Sequence, residues 1–248
     1  MKSGGIINAT VVTMDSHNNI IRDGGILWKD SRIIGVGKSP EIESMAQEKN
    51  IYVESADNAV IFPGLVNTHT HLFQNLLKGL GADLNLESWW PQTIKPAAVN
   101  LRKEHVRAAA AGGMLESLRS GTTTVLDYMY ALPVAGLSDF VIEQAKQLGI
   151  RLVYARGFRN TGAQYGFPTE LIEKTEDVFD DVLRLRDLYE KDDGMLKIWV
   201  APAAIWALDG AGLRDTRRFA DEHGVPVTMH MYETDTDNIV CRERYGAR

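Results

Sequence analysis

Cysteine is almost absent: Cys241 is the only one in 248 residues. No disulfide can close within the chain, and no cysteine-based zinc site can form. There is no uncharged apolar run of the ~18 residues that a membrane span requires. No long apolar segment follows Lys2 in the opening MKSGGIINATVV, so a secretory signal is not expected and a cytoplasmic location is. Positive charge is scarce and scattered. With a formal net charge of −6 and no dense Lys/Arg run, neither nucleic acid nor a membrane surface is an expected partner. No strand is followed by the G-x-G-x-x-G loop of dinucleotide-binding folds. What remains is 44% apolar and 24% charged residues, the composition of an ordinary globular enzyme or binding domain.

The chain changes texture near residue 60. Before it, short β-rich runs (Ile6–Met14, Gly25–Trp28, Arg32–Val36, Ile51–Glu54, Val60–Phe62) are separated by polar turns such as Asp15–Asn19 and Lys29-Asp30-Ser31. Residues 1–60 therefore read as a small antiparallel sheet without a helix. Residues 61–248 read as alternating strands and helices. The strands are Ile61–Val66, Thr122–Leu126, Arg151–Ala155, Leu196–Ala201 and Val225–Met229. The helices are Lys103–Leu118, Ser138–Leu148, Thr169–Glu190, Ala211–His223 and Asp235–Tyr245. Alternation of this kind gives parallel strands with helical crossovers. Two α/β architectures fit, a doubly wound sheet and a (β/α)8 TIM barrel. The barrel is favoured because His69, His71, Asp127, Arg156 and His230 all fall at the C-terminal ends of strands, the active face of such barrels. Only about five βα units are visible where a barrel has eight, so the barrel is expected to be incomplete.

The sharpest motif is Pro63-Gly64-Leu65-Val66-Asn67-Thr68-His69-Thr70-His71. Residues i and i+2 of a strand share a face, so His69 and His71 project together as two imidazoles, unless both lie on a solvated loop. Imidazole is a common ligand for zinc and iron. His230, after the strand Val225–Met229, could add a third nitrogen. Glu233 lies three residues on, either as the acid of a helix N-terminus or as a carboxylate that moves a proton between water and a leaving group.

Together with Glu87-Ser88-Trp89-Trp90, the run PGLVNTHTHLFQNLLKGL, the segment ESLRSGTTTVLD ending at Asp127, and HMYET from His230 resemble the amidohydrolase superfamily over essentially the whole chain. The resemblance is strongest to the branch of guanine and cytosine deaminases, adenosine-type deaminases and triazine chlorohydrolases. It implies a flanking β-sandwich, with 1–60 as its N-terminal portion and 61–248 as barrel. It implies one divalent metal, zinc or iron, on His69, His71 and His230, with Glu233 as proton shuttle. It further implies a sixth-strand histidine and an eighth-strand aspartate, which this chain lacks. Lys197 stands at the start of its strand, the wrong end for a metal-bridging carboxylated lysine, so a single metal is expected. The cysteine-ligated class of zinc deaminases is excluded.

The implied reaction is hydrolytic deamination of a nitrogen heterocycle. The alternatives are triazine-type dehalogenation, cyclic amide opening, and an inactive fragment that needs a partner chain; assembly as a homo-oligomer is expected. Gln74 would either face water or offer its carboxamide to the amide edge of the heterocyclic substrate. Trp89 would either stack on a flat ring or pack as a lid or dimer contact, and so would Trp90. Arg156 and Arg159 would either meet an anionic group or serve the scaffold. Asp127 would accept a hydrogen bond from a ligand histidine and orient it. Ala201-Pro202-Ala203 stands where adenosine-type relatives carry a substrate-binding histidine, which counts against an adenosine-type substrate.

Overall fold

The computed structural model describes residues 3–191 and 193–246. They form two compact units, Met1–Gly64 and Leu65–Arg248.

In the first unit, strands β1 (Ser3–Val12), β2 (Ile20–Lys29) and β3 (Arg32–Lys38) form an antiparallel meander. The β2–β3 hairpin is closed by Asp30 and Ser31, both at positive φ (50° and 66°), the backbone of a two-residue turn that matches strand twist. Strands β4 (Val53–Ser55) and β5 (Val60–Ile61) then pair with β1 in parallel, so the sheet is mixed, not antiparallel throughout. Between β3 and β4 runs a helix that the sequence reading did not expect, α1 (Ser39–Lys49). Its signals are local. Pro40 occupies the first turn, the Glu41 carboxylate accepts the Lys38 amide at 3.1 Å, and Asn50 closes the helix in the left-handed region. Only Ile42 and Ala46 are buried apolar residues of α1, packed with Ile7 and Leu27 of the sheet, and so sparse a stripe gives little periodicity to read.

The second unit holds four parallel strands in the sequential order β6-β7-β8-β9: β6 (Leu65–Thr70), β7 (Thr122–Met129), β8 (Arg151–Phe158) and β9 (Leu196–Pro202). A sequential order without reversal lacks the switch point of a doubly wound sheet. A 3-10 turn (Leu72–Leu77), the short helices α2 (Leu86–Trp89) and α3 (Lys95–Ala98), and α4 (Lys103–Arg119) connect β6 to β7. Helices α5 (Leu137–Leu148), α6 (Thr175–Tyr189), α7 (Gly210–His223) and α8 (Asp235–Tyr245) follow in alternation. Five consecutive buried residues end β7 and β8, as expected of parallel strands covered on both faces.

Three elements differ from the sequence reading. The first strand of this unit is Leu65–Thr70, later than expected, because Val60 and Ile61 pair with β1 instead. The expected long helix Thr169–Glu190 is broken: a 3-10 turn (Thr169–Leu171) precedes α6, because the Glu173 amide donates to the Arg159 carbonyl at 2.8 Å. The expected strand Val225–Met229 is reduced to two isolated parallel bridges, Val200 with Val227 and Ala204 with His230. Pro226 has no N–H to extend that ladder, although its carbonyl still accepts the Val200 amide at 3.1 Å.

Candidate metal centre and its cavity

β6 and the segment 225–230 flank the sheet, and each delivers histidine at its C-terminal end. One nitrogen from each of His69, His71 and His230 lies within 4.8 Å of the others. The His69 and His71 rings stand 4.8 Å apart edge to face, and both lie about 5 Å from the His230 ring (5.0 and 5.1 Å). The i, i+2 reading of His69 and His71 holds in space.

Hydrogen bonds fix which nitrogens face inward. His71 Nδ1 lies 2.6 Å from the Tyr128 carbonyl and His230 Nδ1 lies 2.9 Å from the Ala203 carbonyl. A carbonyl only accepts, so each Nδ1 carries the proton and each Nε2 presents a lone pair. His69 Nε2 and His230 Nε2 are 3.3 Å apart. Two nitrogens bound to one tetrahedral ion at about 2.0–2.1 Å are separated by about the same distance, so this donor set fits a divalent metal. Burial pushes the His71 imidazole down to about 3, and the neighbouring His230 and His69 act in the same direction. Burial, with His230, also lowers His69. Neutral rings are the form that ligates.

Beside the histidines opens a cavity of about 500 Å³, enough for a one- or two-ring ligand. Gln74, Trp89, Trp90 and Glu233 line it. The Gln74 amide donates to the Tyr130 hydroxyl at 2.7 Å. Phe167 stacks on Trp206 at 4.6 Å and meets Trp90 at 4.3 Å, giving an apolar wall for a flat ring. Glu233 is brought round by Tyr232, a non-glycine residue at φ 56°, and its amide donates to Asp237 at 2.8 Å. Asp237 is buried and also accepts the Trp206 indole N–H at 3.0 Å, so one carboxylate ties the Glu233 turn to the aromatic wall.

Two expected site residues serve elsewhere. Arg156 does not line the cavity. Its guanidinium donates to Asp181 at 2.8 Å and to Glu173 at 2.5 Å, a buried cluster joining β8 to α6 and the loop before it. The residue that does line the cavity is Arg159. Asp127 is fully buried, but its Oδ1 accepts the Leu72 amide at 2.8 Å, and among the described residues it bonds no histidine and its Oδ2 has no partner. It therefore fixes the turn after His71, and backbone carbonyls do the work expected of it. Burial lifts its carboxyl to about 7 against the pull of the Leu72 amide. Tyr128, Tyr130, Phe167 and Trp206 belong to no motif of the sequence, and the only signal for the two tyrosines is their place within three residues of Asp127 at the end of β7.

A parallel-strand α/β unit with a histidine cluster at the C-terminal ends of its strands is the class that fold and site define. The chain belongs to the amidohydrolase family, which it matches over residues 60–248. A 5-methylthioadenosine/S-adenosylhomocysteine deaminase of Nitratidesulfovibrio vulgaris (Hildenborough) is 33% identical over 240 residues, covering 97% of this chain and 51% of that protein. A deaminase of the same name from Bacillus cereus (strain G9842) is 30% identical over 242 residues, 98% of this chain and 53% of its own length. Among solved structures, an atrazine chlorohydrolase of Arthrobacter aurescens TC1 complexed with zinc superposes with a TM-score of 0.86 at 25% identity, over 98% of this chain and 56% of that one. An adenosine deaminase of Xanthomonas campestris with bound zinc gives 0.82 at 25%, over 99% and 53%. The chain spans about half the length of the curated relatives it matches. No helix among the described residues is long and apolar enough to cross a membrane.

Proposed function

We propose that this chain carries part of the active site of a metal-dependent hydrolase that cleaves a C–N bond of an amino-substituted nitrogen heterocycle. The observation that supports it most is the convergence of His69, His71 and His230 beside an aromatic cavity that also presents Glu233. In this reading the three histidines hold one divalent ion, with zinc preferred because two similar structures are described with zinc. Bound there, the ion would supply Lewis acidity and would lower the pKa of the attacking water toward about 7. Glu233 takes the proton from the attacking water and returns it to the departing amine. Trp89 and the Phe167–Trp206 stack hold the ring flat and keep bulk water out. Gln74, oriented by Tyr130, meets the polar edge of the ring. Ala203 puts only a methyl group on the cavity wall, where the resemblance to adenosine-type deaminases implies a substrate-binding histidine, and this favours a base or compact heterocycle over a nucleoside. The parallel sheet is read as part of a (β/α)8 barrel, and the sheet of the first unit as part of a β-sandwich.

The test is to load the full chain with zinc, measure the metal bound, and assay ammonia release from guanine, cytosine, pterin and aminotriazine substrates. About one zinc per chain with ammonia release that disappears in Glu233→Gln supports the reading. Zinc bound elsewhere, unaffected by His69→Ala, sinks it. Chloride release from chlorotriazines without ammonia release from any amino-heterocycle would select the dehalogenase alternative.

A further inference from the structure

Arg159 directly follows β8 in the wall of the cavity, and only 1% of it is exposed. Its backbone is fixed, since its carbonyl accepts the Glu173 amide at 2.8 Å. The next side chain, Asn160, is bonded to Thr175 at 3.2 Å and to Asp209 at 3.1 Å. The guanidinium lies against aromatic rings, its carbon 4.9 Å from the centre of Phe167 and 5.7 Å from that of Tyr130. Its Nε and Nη1 are buried and have no hydrogen-bond partner among the described residues. Arg156, three residues earlier, has two carboxylates. Burial draws Arg159 down to about 10, which leaves it a cation at neutral pH. Lys95, another cation on this wall, gives its ammonium to the Gly166 carbonyl at 2.9 Å.

Burying a cation without acceptors is costly, and the two aromatic contacts offset only part of that cost. The planar fork of donors suits a carboxylate, which it can bind through two parallel hydrogen bonds. Tyr130 touches both Arg159 and the His71 ring, which lies 4.9 Å from it, and Arg159, His71 and His230 all line the same cavity. We propose that Arg159 is a specificity-determining residue that binds a carboxylate carried on the ring of the heterocycle. The substrate class is thus an anionic ring compound and not a neutral nucleoside. This rests on reading the cavity as the substrate site.

The experiment uses the full chain, freed of metal by a chelator so that no anion can coordinate an ion. Nicotinate and nicotinamide share a ring and nearly a shape but differ in charge. Each is titrated while the fluorescence of the cavity tryptophans is followed. Nicotinate is expected to bind at least about ten-fold more tightly, roughly 1.4 kcal/mol. Arg159→Met is expected to lose that preference and keep its affinity for nicotinamide. Equal affinities in the wild type, binding of neither compound, or a preference that survives in Arg159→Met would overturn the proposal. If Arg159→Met does not fold, the wild-type comparison still decides. Because the readout needs neither metal nor turnover, a chain that prefers nicotinate but binds no zinc refutes the hydrolase reading alone. A chain that releases ammonia but shows no preference refutes only this inference.

Discussion

The ends of β7 and β8 and the two segments that flank the sheet obey different rules. The interior strands close with unbroken buried runs and bond a neighbour on each side. β6 has no buried residue, and Leu65 and Val66 are 59% and 61% exposed. Segment 225–230 touches the sheet through two bridges. Yet the three histidines come from these flanks, whereas their carbonyl and aromatic supports come from β7 and from the residues just past β7 and β9: Tyr128, Tyr130 and the carbonyl of Ala203. Stability and chemistry are thus carried by different strands, and a metal on the histidines would tie the two flanks together across the interior.

The largest expected effect lies on the flanks. At a zinc concentration one hundred times the dissociation constant, the folded chain should gain about 2.7 kcal/mol. Thermal unfolding with and without chelator measures this, and His230→Ala should abolish the gain. In metal-free protein the same substitution should cost only about 0.5–1.5 kcal/mol, the hydrogen bond of Nδ1 to the Ala203 carbonyl. A large loss there would break the division between scaffold and ligand strands.

The scaffold should behave in the opposite way. Glu173→Ala removes one of the two carboxylates that neutralise buried Arg156 and should cost about 1.5–3 kcal/mol in urea denaturation, with zinc affinity unchanged. Gly157→Ala should cost about 1–3 kcal/mol, because a Cβ there would sit 2.6 Å from the Met129 carbonyl oxygen and 2.7 Å from Tyr130 Cα. By displacing Tyr130 it should also weaken ligand binding in the cavity, the one scaffold change expected to reach the site.

A pH-dependent effect sharpens the boundary between the two regions. Asp127 sits on β7 but holds the turn after β6, and its folded pKa of about 7 lies above the unfolded value of 3.8. A raised carboxyl holds its proton more tightly when folded, so stability is lost as pH rises between those two values. Asp127→Asn keeps an acceptor for Leu72 and cannot ionise. Its stability relative to wild type should therefore rise with pH across that window. A difference independent of pH, measured by urea denaturation at several pH values, would show that Asp127 is not desolvated as the fold implies.

The sequence by itself determined the alternation of strands and helices, the parallel sheet, the family, and the pairing of His69 with His71. Each depends on local spacing: apolar period, turn residues, and the two-residue repeat of a strand. It did not reveal α1, whose buried face is only two apolar residues wide, nor where the first strand of the second unit begins. That start was decided by which neighbour claims Val60 and Ile61. Only the tertiary structure brought His230 to 3.3 Å from His69 across 161 positions. Only the tertiary structure, too, divided two arginines three residues apart, giving Arg156 to a buried ion-pair cluster and Arg159 to the cavity. Such assignments depend on which elements pack against a strand's end, and no local pattern carries that information.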